Sequence, residues 1–232
     1  MRLAVINPNS TVSMTEKIAE AARIAAGPGV TVEARTCAGS PPAIQGPEDG
    51  DLAAPHVMAE VRRAEAEGAD ACIIACFDDT ALAEARAAVS IPVIGIGEAA
   101  FHAAMLLSPR FSVVTTLSVS VPVIADNIDR YGMASACARV RASEVPVLDL
   151  EKPGSDARGK VSAEIARALA EDGAGAIVLG CAGMADLAAE LAAEHGVPVI
   201  DGVAAATGLA RMLVALGPSA KPTRKEHPCP AS

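Results

Sequence analysis

Cys76 and Cys181 each close a short apolar run and open onto an Ala/Leu-rich stretch. In open parallel sheets ligands sit beyond the carboxyl ends of the strands, so both positions fall on the working edge of such a fold. A cysteine thiol ordinarily titrates near about 8.5, and a modest downward shift would leave a useful thiolate at neutral pH. The start of a helix after each cysteine would favour that thiolate. One thiolate and one thiol facing each other across a cleft could take a proton from one face of a carbon and return one to the opposite face. Inversion of a stereocentre asks for that arrangement, and for no cofactor.

The elements that must carry the two thiols form an internal repeat. Gly68-Ala69-Asp70-Ala71-Cys72-Ile73-Ile74-Ala75-Cys76 parallels Gly173-Ala174-Gly175-Ala176-Ile177-Val178-Leu179-Gly180-Cys181, and each run continues into an Ala/Leu-rich helix. A Pro-led strand follows in both copies, Ile91-Pro92-Val93-Ile94 and Val197-Pro198-Val199-Ile200. The starts match as well, Arg2-Leu3-Ala4-Val5-Ile6 against Arg110-Phe111-Ser112-Val113-Val114. β-branched runs predict strands at 2–7, 30–36, 70–75, 92–96, 111–115, 137–141, 175–180 and 197–200. Helical periodicity places helices near 12–26, 51–67, 79–89, 98–107, 119–130, 157–172, 184–195 and 203–215. Continuous apolar strands in a repeated β-then-α order imply parallel sheets buried on both faces, with right-handed crossovers. The expectation is an α/β protein of two similar lobes with parallel four-stranded sheets, related by a pseudo-twofold axis, with the active site in the cleft between them. Residues 1–98 plus 203–216 form the lobe carrying Cys76, 99–202 form the lobe carrying Cys181, and 217–232 form a frayed tail.

Other strand ends supply polar groups. Asn7-Pro8-Asn9-Ser10-Thr11 follows the first strand, and Thr115-Thr116-Leu117-Ser118 occupies the matching place in the second half. Such residues cap helices and donate hydrogen bonds to an oxygen gaining charge, as do backbone N–H groups after the two cysteines. Ala182 and Gly183 are small enough to let a substrate approach the backbone. Ile44, in a Gly/Pro-rich loop from about Thr36 to Asp51, and Phe77 are candidate selectors of the substrate's substituent. Asp78 and Asp79 read as the start of a helix, where carboxylates are favoured. Their negative charge disfavours a dianionic substrate and suits a neutral cyclic amide. Cys72 reads as core, while Cys37, Cys137 and Cys229 carry no supporting context. The four histidines lack partner spacing for a metal or a general base, and Gly95-Ile96-Gly97 reads as a turn before a helix rather than a phosphate loop.

Composition bounds the rest. A net charge of −9 lacks the basic footprint that nucleic acid requires, and aromatic stacking platforms are missing, with no Trp, one Tyr and three Phe. The apolar content is mostly Ala, Val, Leu and Ile, which suits helices packed closely on a parallel sheet. No apolar run approaches the roughly 20 residues of a membrane span, and the opening residues turn polar too soon for a signal peptide. The six cysteines show no paired metal spacing and read as free thiols. A cytoplasmic homo-oligomer acting on a small molecule is expected.

Asn7-Pro8-Asn9-Ser10-Thr11, Cys76-Phe77-Asp78-Asp79 and Leu179-Gly180-Cys181-Ala182-Gly183-Met184 together resemble the hydantoin/allantoin racemase branch of the aspartate/glutamate racemase superfamily. The resemblance spans residues 1 to about 216. It implies two flavodoxin-like lobes, a two-cysteine mechanism and neither metal nor pyridoxal cofactor. By that match Cys76 and Cys181 are catalytic and Asn9 and Thr116 contact substrate; Ser10, Ile44, Phe77, Asp78, Ser118, Ala182 and Gly183 complete the candidate site. One departure concerns substrate rather than chemistry. Hydantoin racemases typically read Cys-Phe-Gly-Asp-Pro-Gly where this chain has Cys76-Phe77-Asp78-Asp79-Thr80-Ala81. Competing readings are an amino-acid racemase of the aspartate/glutamate type, a maleate isomerase or malonate decarboxylase of the same superfamily, and a two-lobed binding protein without activity.

Overall fold

In parallel strands with both faces covered, successive side chains serve two different cores, and the burial pattern shows that division here. The computed structural model describes residues 1–217. Its first sheet is built from β1 (Arg2–Asn7), β2 (Thr31–Thr36), β3 (Ala71–Ile74) and β4 (Val93–Gly95), in the order β2-β1-β3-β4. The second is built from β5 (Phe111–Thr115), β6 (Cys137–Ala142), β7 (Ala176–Gly180) and β8 (Val199–Ile200), in the equivalent order β6-β5-β7-β8. Every pairing is parallel, with Val5 beside Ile73 in one sheet and Val113 beside Val178 in the other.

Leu3, Val5, Ala71 and Ile73 point inward, to a core that also holds Phe111, Val113, Ala176 and Val178 of the second sheet. Ala4, Ile6, Cys72 and Ile74 point outward, beneath α2 (Pro47–Ala66) and α3 (Leu82–Ala88). Val114, Ile177 and Leu179 do the same beneath α6 (Ala157–Asp172) and α7 (Ala188–His195). Between the sheets lie α1 (Val12–Ala26), α4 (Ile96–Leu107), α5 (Val121–Arg130) and α8 (Gly202–Leu216). Asp201 caps α8, its carboxylate accepting from Val203 N and Ala204 N at 2.9 and 3.0 Å. That helix returns to pack on α1 and α4. The sheets therefore share one central core, and all three phenylalanines and the tyrosine are spent in it. Phe101 stands edge-on to Phe77 at 5.4 Å, stacks on Phe111 at 5.9 Å and tilts against Tyr131 at 6.4 Å.

Three expected boundaries move. The long loop after β2 ends at Gly46, because Pro47 sits at the first helical position with Glu48 and Asp49 behind it, and α2 starts there. The helix expected from residue 79 begins only at Leu82, because Asp79 and Ala81 hold positive φ of 50° and 58°. The stretches before α5 and α7 are 3-10 turns, Ser118–Ser120 and Ala182–Leu187. Among the described residues no helix is long and apolar enough to cross a membrane. Cys229 and all but the first residue of the expected tail lie outside the described residues.

Candidate active site

The two sheets turn their carboxyl ends toward one cavity. β1 delivers Asn7, Pro8 and Asn9, and β3 delivers Ala75, Cys76, Phe77 and Asp78. Opposite them, β5 delivers Thr116, and β7 delivers Gly180, Cys181, Ala182 and Gly183. Met14 and Ile18 of α1, Ile44, Ser120 and Val147 close the walls. Of the candidate residues, Cys76, Cys181, Asn9, Ile44, Phe77, Asp78, Thr116, Ala182 and Gly183 thus line this cavity together. Ser10 and Ser118 are not among the lining residues; Ser10 N donates to Pro41 O at 3.0 Å, and Ser118 is exposed in its 3-10 turn.

Local hydrogen bonds fix the polar rim. Asn7 is wholly buried, and its Nδ2 donates to Asn9 Oδ1 at 2.9 Å, Thr15 Oγ1 at 3.0 Å and Thr11 O at 3.2 Å. Asn9 Oδ1 also accepts from Thr11 N at 2.9 Å, so its oxygen is occupied. Its Nδ2 meets only a weak acceptor in Met14 Sδ at 3.2 Å, which leaves a good donor for the cavity. On the other side Thr116 is buried, with its carbonyl held by Val145 N at 3.2 Å. Gly180 has no room for a side chain unless the neighbouring strand shifts: a Cβ there would lie 2.8 Å from Thr115 Cα and 2.7 Å from its Cβ. Thr115 Oγ1 donates to Gly180 O at 2.8 Å, locking the strand end that presents Cys181.

The electrostatics correct three expectations. Burial pushes both thiols up rather than down, Cys181 to about 11 and Cys76 further, with Asp78 adding to the rise at Cys76. No α-helix N-terminus abuts either sulfur, since α3 starts at Leu82 and α7 at Ala188. Individual donors favour the thiolates instead: Thr80 Oγ1 (3.4 Å) and Asp78 N at Cys76, and Gly183 N at Cys181. Asp78 is no fixed negative charge either, because burial raises its carboxyl to about 7.

Lys17 was invisible as a site residue in the sequence. Its Nζ crosses from α1 to Glu151 at 2.8 Å, Asp186 at 3.4 Å and Gly183 O at 3.3 Å, and its charge lowers the Cys181 thiol against the larger effect of burial. Asn7, Met14, Ile18, Ser120 and Val147 were missed as well. Of these only Asn7, inside the quoted Asn-Pro-Asn motif, carried a sequence signal.

Two sheets of identical strand order, each presenting a thiol to a shared cavity, define the class of protein. A model of the Asp/Glu/Hydantoin racemase family matches residues 3–210, and the chain belongs to that family. It is 47% identical over 217 residues to a hydantoin racemase from Rhizobium meliloti, covering 94% of this chain and 90% of that protein. A hydantoin racemase from a Pseudomonas sp. is 41% identical, with 94% and 87% covered. Among solved structures, an allantoin racemase from Klebsiella pneumoniae superposes with a TM-score of 0.92 at 45% identity, covering 94% of this chain and 89% of that one.

Proposed function

We propose that this racemase of the hydantoin/allantoin type inverts the ring stereocentre of a 5-substituted hydantoin or of allantoin by proton transfer between Cys76 and Cys181, without a cofactor. The observation that carries the reading is that both thiols, from matched strand ends of the two sheets, line one cavity. The ring carbon's proton is acidified by its adjacent carbonyl. The thiolate on one face takes that proton, and the C–H electron pair moves into an enolate. The thiol on the opposite face then gives its proton to carbon. The two sulfurs end the turnover with their protonation states exchanged, and solvent resets them. Burial makes thiolates scarce, yet each is a stronger base for having a raised pKa. Asn9 Nδ2 and the Thr116 hydroxyl are the donors we assign to the enolate oxygen.

Substrate class follows from the lining. Among its residues there is no Arg, Lys or His, and the single carboxyl, Asp78, titrates near neutrality. A neutral ring with N–H donors suits such a wall, whereas an amino-acid dianion would find no unpaired cation on it, since nearby Lys17 is held by Glu151 and Asp186. In this reading the lobes are 1–98 with 203–216 and 99–202, each supplying one thiol. Free thiols among the described cysteines fit a reducing cytoplasm, and the exposed Met105, Leu106, Leu107 and Leu216 fit a homo-oligomer. Polarimetry on single enantiomers of allantoin, alkylhydantoins, benzylhydantoin, aspartate and glutamate tests the substrate. Loss of rotation with a cyclic amide and none with the amino acids is expected; racemisation of aspartate or glutamate alone overturns the substrate class.

A further inference from the structure

Four consecutive residues after the first thiol are each anchored to something different. Phe77 packs edge-on to Phe101. Asp78 O accepts from Asn127 Nδ2 of α5 at 2.9 Å. Thr80 Oγ1 donates to Cys76 Sγ, and Asp79 N donates to Cys76 O at 3.0 Å. The Asp79 carboxylate holds the centre: Oδ1 accepts from Gly97 N at 3.0 Å, while Oδ2 accepts from Glu98 N at 2.8 Å and from Tyr131 Oη at 2.9 Å.

The residue is buried at a φ of 50°, and its side chain makes none of these bonds to α3, the helix that follows it. Positive φ at a non-glycine residue costs free energy and persists where surrounding contacts over-determine it. The chain has made room for it. A Cβ at Gly95 would fall on the Asp79 carboxylate, and one at Gly97 would lie 2.5 Å from Phe77 O and 2.9 Å from Asp79 Oδ2. Gly95-Ile96-Gly97, where β4 ends and α4 begins, is therefore a cradle for the thiol loop rather than a turn before a helix. Tyr131, the chain's one tyrosine, closes the cradle from beyond the end of α5, which packs on the second sheet's edge strand β6. The same helix holds Asp78 through Asn127. The loop that presents Cys76 is thus held by the half of the molecule that presents Cys181.

We propose that Asp79 is a positioning residue, which with Tyr131 and the Gly95/Gly97 cradle fixes the Cys76 thiol against the opposite half and so sets the span between the two sulfurs. The proposal rests on the two-thiol reading for its catalytic consequence, but not for its effect on Cys76 itself. Opposite-face proton transfer tolerates little misplacement of either group. Loosening the loop should cripple the Cys76 face and spare the Cys181 face.

Two readouts separate this from general loss of structure. The first is solvent deuterium exchange against racemisation. In Asp79→Ala we expect racemisation to fall at least 100-fold, while exchange at the one enantiomer whose proton faces Cys181 stays within about tenfold of wild type. Asp79→Asn, which keeps one acceptor oxygen but sets an NH2 against one of the two backbone N–H groups, should fall between Asp79→Ala and wild type, and Tyr131→Phe should lose about three- to tenfold with the same one-sided pattern. The second readout needs no substrate: iodoacetamide labelling of Cys76 relative to Cys181, followed by peptide mass. Asp79→Ala should raise that ratio at least fivefold, and Tyr131→Phe about twofold. The proposal is overturned if racemisation stays within twofold of wild type in both Asp79→Ala and Tyr131→Phe. It is equally overturned if exchange is lost in parallel at both enantiomers, or if the labelling ratio is unchanged. Should Asp79→Ala not fold, Tyr131→Phe, which removes one hydroxyl, decides by the same measurements. Should wild type racemise no cyclic amide, the functional reading fails and the labelling ratio still decides this one.

Discussion

In the proposed reaction a thiol must do two opposed things: lose its proton often enough to act, and hold a proton strongly enough to pull one from carbon. Burial favours the second, raising Cys181 to about 11 and Cys76 further. Few thiolates then exist at neutral pH, and their population grows about tenfold for each pH unit until the pKa is reached. Lys17 is the cation that works against this at Cys181, whereas Asp78 works against ionisation at both sulfurs. Lys17 is paired with Glu151 and Asp186, which offset its charge at the sulfur, and a modest effect is expected. Lys17→Met should move the alkaline limb of Cys181 labelling upward by about half a pKa unit, about a threefold slower rate at fixed pH below the limb. Peptide-resolved iodoacetamide kinetics between pH 7 and 10 check it; an unchanged or downward-shifted limb contradicts it. The sequence pointed to the thiols because they end matched runs. It held no sign of Lys17, which reaches Gly183 across a separation of 166 residues, nor of the shift's direction, which depends on what buries each sulfur.

At the scale of elements the hydrophobic period carried most of the information. Leu3, Val5 and Ile73 face one core while Ala4, Ile6 and Ile74 face another, and a strand buried on both faces reads as an unbroken apolar run. Strand positions were legible for that reason, and so was the strand-end location of Cys76 and Cys181. Polar residues whose partners are distant were not. Asp78-Asp79 has the local look of a helix start, yet Asp79 serves α4, residues away in sequence, and α3 waits for Leu82. Gly180 illustrates the same point in reverse: its need for no side chain comes from the neighbouring strand. Gly180→Ala should set a methyl against Thr115 Cα and Cβ and destabilise the fold by about 1–3 kcal/mol, with the end of β7 displaced and activity lowered. Urea unfolding measures the stability loss, and a variant as stable as wild type would show that the two strands do not approach this closely.

The whole molecule repeats one α/β arrangement twice and joins the copies through a common interior. Phe77, Phe101, Phe111 and Tyr131 meet there, so the few aromatics of the chain are committed to the junction rather than to a surface platform. The repeat was readable because its landmarks recur in order. The junction was not, because nothing local to Phe101 or Tyr131 says which other segment it will meet. A rigid junction would serve the proposed chemistry, in which a substrate carbon meets one sulfur on each face without either half yielding. The account's central claim is that each half contributes one face of a single reaction centre. Cys76→Ser and Cys181→Ser, each incubated in deuterium oxide with the separate enantiomers of a hydantoin that wild type racemises, test it most directly. The account predicts that racemisation falls at least 1000-fold in both variants, about 4 kcal/mol of barrier, and that any residual exchange favours opposite enantiomers in the two. Wild-type racemisation by either variant, or residual exchange of the same enantiomer in both, would contradict it.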